Sequence, residues 1–154
     1  MTRCQFLGLV LWPLGVTWAQ TVAAGGPLAE AVPPLTPELR GRLAQADLAA
    51  GEGYFERKCS QCHDAAKRGG HGKGPHLWGI LGRQAASVPG FDFSAAMKSV
   101  GRAWDYAALD YYLADTEQAV PGRAMNFSGI RDAQQRANVV AYLRTLADTP
   151  LPLP

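Results

Sequence analysis

Cys59-Ser60-Gln61-Cys62-His63 carries the densest chemistry in the 154-residue chain. Two thiols three residues apart, followed at once by an imidazole, match the C-x-x-C-H spacing by which c-type haem is attached. The thiols sit at the right separation to join the two vinyl groups of one porphyrin, and the histidine follows in the same turn as a proximal iron ligand. Other uses of this pattern fit poorly. Zinc would need two more ligands at a matching spacing, and only His71 and His76 are left to supply them. A redox dithiol opens a helix after a strand, whereas Gly51 to Lys58 reads as helix before the first cysteine. A low-spin haem electron carrier also needs a second axial ligand. Of the three methionines, Met1 is the initiator, Met97 falls in an expected short helix, and Met125 lies in the loop Pro121 to Phe127. That loop has the backbone freedom to bring a sulfur to the iron, so Met125 is the expected ligand; core filling is the ordinary role of a methionine.

These groups must be positioned by short helices joined by glycine-rich loops. Asp47 is the expected N-cap of a helix over Leu48 to Lys58, Ser94 of one over Ala95 to Val100 with Gly101 as its stop, and Asp105 of one over Tyr106 to Ala114. The last helix is the clearest. Asp132 with Gln135 resembles a capping box, and Val139, Tyr142, Leu143 and Leu146 share one face. Gly51 and Phe55, one turn apart, offer that face a notch and a knob, so the first and last of these helices are expected to cross. Strand signals are nearly absent, and the glycines between Gly69 and Gly82 exclude a regular element there. Such a set of helices is poor in apolar contacts for its length, which a buried haem would remedy.

The ends read differently. Arg3, the apolar run Phe6 to Val16 and Thr17-Trp18-Ala19 form a signal peptide over residues 1–19. The run is too short to span a bilayer and Pro13 interrupts it, so export to the periplasm is expected, with no stable membrane span after cleavage. Cys4 would leave with it, which assigns both remaining cysteines to the haem motif. Residues 20–46 are rich in Pro and Gly and read as a linker or arm, with a disordered spacer as the preferred form and a weak helix over Leu39 to Ala46. Residues 47–148 form the one haem domain, and 149–154 a frayed, proline-broken tail.

Gly51, Phe55, the Cys59 to His63 motif, Gly74-Pro75-His76-Leu77, Gly82-Arg83, Gly90-Phe91, Ala95-Ala96, Trp104, Tyr112-Leu113, Pro121-Gly122, Met125 and Tyr142-Leu143 occur in the order of landmarks of the class I cytochromes c. The chain most resembles the mitochondrial form and its short bacterial relatives, from Gly51 to about Leu146 without insertion. The resemblance implies an all-α cytochrome c fold, short helices and loops wrapped around one covalently bound haem c. It implies thioethers at Cys59 and Cys62 and iron between His63 and Met125. It further implies that the Pro75 carbonyl accepts a hydrogen bond from the proximal imidazole, that Arg83 and Trp104 hold the inner haem propionate, and that Tyr112 stands near the methionine sulfur. His71 matches a histidine that links loops, and His76 is expected at the surface. Phe91 and Phe93 depart from the mitochondrial tyrosines, Met97 from an asparagine and Arg123 from a threonine.

Composition bounds the function. At 47% hydrophobic and 18% charged residues the chain fits one modest domain with extensions. From Asp47 onward, 12 Lys and Arg stand against 11 Asp and Glu, a net of +1. The basic residues are dispersed among acids, so nucleic-acid binding has no support. Arg57, Lys58, Lys73 and Arg123 are expected around the haem edge, with weak steering of partners. The expected function is outer-sphere transfer of single electrons, not enzymatic catalysis. The partners would be redox proteins: a dehydrogenase or respiratory complex, and a terminal oxidase or reductase. Either a free monomer or the haem subunit of a periplasmic dehydrogenase complex fits; a haem peroxidase or gas sensor would require an open iron site.

Overall fold

Aspartates and hydroxyls cap the helices of the computed structural model, which describes residues 27–154. Asp47 starts α2 (Leu48–Lys58), its carboxylate accepting from the Ala50 amide, and Asp105 starts α4 (Tyr106–Ala114) by accepting from Ala108. Before them Thr36 caps α1 (Pro37–Ala44), and Ser94 caps the single turn α3 (Ala95–Lys98), shorter than expected because Ser99 already closes it. Asp115 both ends α4 and caps α5 (Thr116–Ala119), a turn that sequence periodicity does not reveal. Asp132 caps α6 (Ala133–Thr145). The expected capping box is half formed: the Gln135 amide donates to Asp132, while the Gln135 side chain reaches across to the Ala50 carbonyl of α2 at 3.4 Å.

Helix α6 is the hub, packing against α1, α2 and α4. It crosses α2 closely because Gly51 has no side chain. A Cβ there would lie 2.2 Å from the Asn138 carbonyl oxygen and 3.0 Å from Tyr142 Cβ. Phe55 fills the other side of the crossing with its ring 5.5 Å from Tyr142. Val139, Leu143 and Leu146 are buried, as expected of that face, and Tyr142 is half-buried. Among the described residues no strand forms. Residues 59–94 are loops held by two isolated bridges, His63 with His71 and Gln84 with Ala103.

The signal-peptide reading of residues 1–19 and the first part of the arm lie outside the described residues. The rest of the arm corrects the disordered-spacer expectation. The Leu28 amide donates to the Ala119 carbonyl at 2.7 Å, and Arg102 donates to the Ala31 carbonyl at 2.7 Å. Leu28, Leu39 and Leu43 are each 2–3% exposed and belong to the main core. Residues 31–36 are irregular, but Leu28 together with Leu39 and Leu43 of α1 give the arm enough apolar surface to dock. The tail is also corrected from frayed to docked. Tyr106 donates its hydroxyl to the Leu151 and Pro152 carbonyls at 3.1 and 3.0 Å, and Arg144 donates to Leu151.

Candidate haem site

The C-terminal end of α2 delivers Cys59, which is the helix C-cap, and the turn continues with the Cys62 and His63 amides both donating to the Cys59 carbonyl at 3.0 Å. All three residues therefore reach one wall of a cavity of about 660 Å³, within the roughly 300–1,000 Å³ typical of cofactor sites. Gly74 closes behind them. Its amide donates to the Cys62 carbonyl at 2.8 Å, and a Cβ on it would fall 2.4 Å from the His63 ring. That close approach sets the next residue, Pro75, with its carbonyl 2.7 Å from His63 Nδ1. A carbonyl only accepts, so Nδ1 carries the proton and Nε2 keeps its lone pair for a metal. Burial also pushes the His63 pKa down, which favours the neutral ring, while the Pro75 carbonyl acts in the opposite direction.

Cys59 and Cys62 are not joined to each other in a disulfide. Burial, then Cys62 and Glu56, push the Cys59 thiol up to about 11. Among the described residues, no group of three or more His, Cys, Asp or Glu side chains is arranged to hold a metal ion.

Arg83 and Trp104 also line the cavity, brought together by backbone pairing: the Trp104 amide donates to the Arg83 carbonyl and the Gly82 amide to the Trp104 carbonyl, both at 2.9 Å. Trp104 is 5% exposed. The Arg83 guanidinium donates to the Trp78 and His76 carbonyls at 2.9 and 3.0 Å, a fixed cation at the cavity wall. Trp104 lies 5.2 Å from the ring of Tyr112, whose hydroxyl points to Met125 Sδ at 4.0 Å. Burial pushes Tyr112 up to about 12, with Arg123 acting in the opposite direction. Met97 lines the same cavity from α3, and so do Phe91 and Phe93, edge to face at 4.9 Å. Neither phenylalanine ring carries a hydroxyl.

The family of these landmarks is decided by comparison with known proteins. The Cytochrome c family model matches residues 48–147. The chain belongs to the cytochrome c family. Cytochrome c of Chlamydomonas reinhardtii is 42% identical over 98 residues, covering 64% of this chain and 88% of that protein. Cytochrome c-type cyt cy of Rhodobacter capsulatus is 42% identical over 114 residues, 74% of this chain and 56% of that protein. A cytochrome c homolog of Bradyrhizobium diazoefficiens is 37% identical over 131 residues, 84% of this chain and 68% of that protein. The fold is the all-α cytochrome c fold, the cofactor is covalent haem c with its iron, and the chain is a monohaem electron carrier rather than an enzyme.

Two surface expectations need correction. His76 is half-buried, its ring stacked on His71 at 5.3 Å and its amide donating to His71 Nδ1 at 3.2 Å; burial, Arg83 and His71 push its pKa down. His71 does link loops, its Nε2 lying 2.9 Å from the Pro89 carbonyl. Arg123 is no edge cation, since its side chain is 10% exposed and engages Glu117. Lys58 and Lys73 remain exposed at the cavity. Sequence reasoning missed Thr116, fully buried beside the methionine loop, whose only local sign is its place after the capping Asp115.

Proposed function

We propose that the haem is joined through thioethers to Cys59 and Cys62 with its iron between His63 and Met125, and that the protein shuttles single electrons in the periplasm. The observation that carries this reading is the shared cavity. Cys59, Cys62, a His63 whose Nδ1 faces a carbonyl, and Met125 beside Tyr112 all line it. When bound, the haem supplies a one-electron iron couple, whose reduced state a thioether opposite an imidazole favours. The polypeptide's part is to hold that couple with little rearrangement. Pro75 orients His63, Arg83 and Trp104 offer donors for a propionate, and the apolar wall of Phe91, Phe93 and Ile80 excludes water.

The signal-peptide reading of residues 1–19 supports export, and among the described residues no helix is long and apolar enough to cross a membrane. The donors and acceptors proposed are a dehydrogenase or respiratory complex and a terminal oxidase or reductase. A free carrier is favoured over a subunit because the described part of the arm is spent on the chain's own core, with Leu28, Leu39 and Leu43 buried there. Met125→Ala tests the ligand. The sulfur-to-iron charge-transfer band of the oxidised protein is expected to vanish and the reduction potential to fall. An unchanged band would pass the role to Met97.

A further inference from the structure

Met125 sits in an irregular loop with few bonds of its own. The Arg123 amide donates to Val120 and the Phe127 amide to Met125, each at 3.1 Å. What fastens the loop is one guanidinium. Arg123 Nε donates to Thr116 Oγ1 at 2.7 Å, Nη2 donates to the Phe127 carbonyl at 3.2 Å, and Nη1 pairs with the Glu117 carboxylate. Thr116 donates its own hydroxyl to the same Phe127 carbonyl. Thr116 and Glu117 open α5, Arg123 stands two residues before Met125, and Phe127 two residues after it. A single side chain thus closes the loop across Met125 and ties both of its ends to a helix. The two ends of the ion pair differ in setting: the Arg123 side chain is 10% exposed and the Glu117 side chain 67%.

We propose that Arg123 is a positioning residue for Met125: its three-way fork keeps the methionine loop shut on α5 and so guards the iron against competing ligands. The inference rests on the reading of Met125 as the iron ligand. Three acceptors in different directions suit the planar guanidinium, whereas a lysine ammonium on a flexible stem would keep the charge and lose the fork. Removing the fork also leaves the buried Thr116 hydroxyl and the Phe127 carbonyl with fewer partners, which weakens the closed loop. An external ligand reaches the iron only when the sulfur departs, so its apparent affinity scales with the fraction of open loop. One neutral ligand replaces another in that exchange, and no electron or proton moves.

The test is a spectral titration of the oxidised holoprotein with imidazole. Arg123→Lys and Arg123→Ala are both expected to tighten imidazole binding about tenfold or more, with Thr116→Val shifting it less in the same direction. In a Met125→Ala background, Arg123→Ala is expected to change nothing further, because the residue acts through the sulfur. Leu43→Ala, which destabilises α1 at a residue outside the cavity lining, is expected to leave imidazole affinity at the parent value. The proposal is overturned if Arg123→Lys matches the parent, if the effect of Arg123→Ala persists without Met125, or if Leu43→Ala raises affinity equally. Failure of the ligand reading looks different: the parent would lack the sulfur-to-iron band, or Met125→Ala would bind imidazole no better than the parent. Should Arg123→Ala fail to fold, Arg123→Lys and Thr116→Val decide.

Discussion

Adding one methyl group at Gly51 should cost far more than the helix gains from it. Alanine is favoured over glycine in a helix interior by about 1 kcal/mol. At Gly51 the added Cβ would stand 2.2 Å from the Asn138 carbonyl oxygen, 2.7 Å from its carbon and 3.0 Å from Tyr142 Cβ. None of these is the free end of a flexible side chain. Restoring ordinary contact means moving that oxygen from 2.2 to 3.4 Å, a retreat of about 1.2 Å by α6. Val139 and Leu143, 1% and 5% exposed, ride on α6 and would open gaps against their neighbours. A radial gap of about 1 Å forfeits up to roughly half of the dispersion well, and overpacking costs about 1–3 kcal/mol or more. With the whole obstacle made of backbone and Cβ, the upper end applies. Gly51→Ala is therefore expected to lose about 2 kcal/mol net, lowering the thermal midpoint by on the order of 10 °C. Gly41→Ala is the control. It sits inside α1 with nothing within 4 Å of its added Cβ, so the same change should stabilise by a few tenths to about 1 kcal/mol. Denaturant unfolding of the holoproteins, followed by far-ultraviolet circular dichroism, reads both. A Gly51→Ala protein as stable as the parent, or two variants that move with the same sign, would refute the crossing argument.

Leu43→Ala tests whether α1 belongs to the folding unit. The side chain is 2% exposed, so truncation should cost about 2–5 kcal/mol in the same unfolding assay, and a loss near zero would mean that α1 is not docked. Asp110→Ala tests the buried ion pair under α6. Arg136 meets both Asp110 oxygens, at 2.7 and 3.2 Å, and the two side chains are only 9% and 15% exposed. Removing the carboxylate strands a buried guanidinium, for an expected loss of about 3–5 kcal/mol that salt relieves little. Asp110→Ala combined with Arg136→Met should recover much of it in a double-mutant cycle.

The parts of this fold that sequence reveals are those written in local hydrogen bonds. Asp47, Asp105 and Asp132 place the starts of α2, α4 and α6 because a cap satisfies amides only two or three residues away. The Gly51 notch was legible for a related reason, since a glycine and an aromatic on one face announce a close crossing. The arm was not, because nothing local says that Leu28 bonds to Ala119 or that Arg102 reaches back to Ala31. Asp115 hid α5 by serving two helices at once. Within the site, Cys59, Cys62 and His63 stand out because covalent attachment dictates their spacing, whereas Met125 is preferred over Met97 by its place in a loop and needs the family pattern to be preferred over ordinary core filling. Arg123 was misread as a surface cation because its acceptors, Thr116 and a main-chain carbonyl, carry no charge pattern.

These differences follow one division in the molecule. The His63 wall hangs from α2, whose end cap is Cys59, and is backed by Gly74 and Pro75, so its geometry is set by a helix that α6 locks in place. The Met125 wall hangs from a single-turn helix, an irregular loop and one guanidinium, with the arm's Leu28 amide bonded to Ala119 at the end of α5. Few buried contacts and few backbone bonds make a segment the first to open, so the methionine side is the weaker half of the site. With the proposed Met125 ligand, that weakness is tolerable only if the closed state is strongly favoured, because loss of a thioether ligand would change the potential. An internal cation that grips α5 and both flanks of the methionine supplies that bias where short elements cannot, and it does so at a position that would otherwise be free to carry a partner-facing charge.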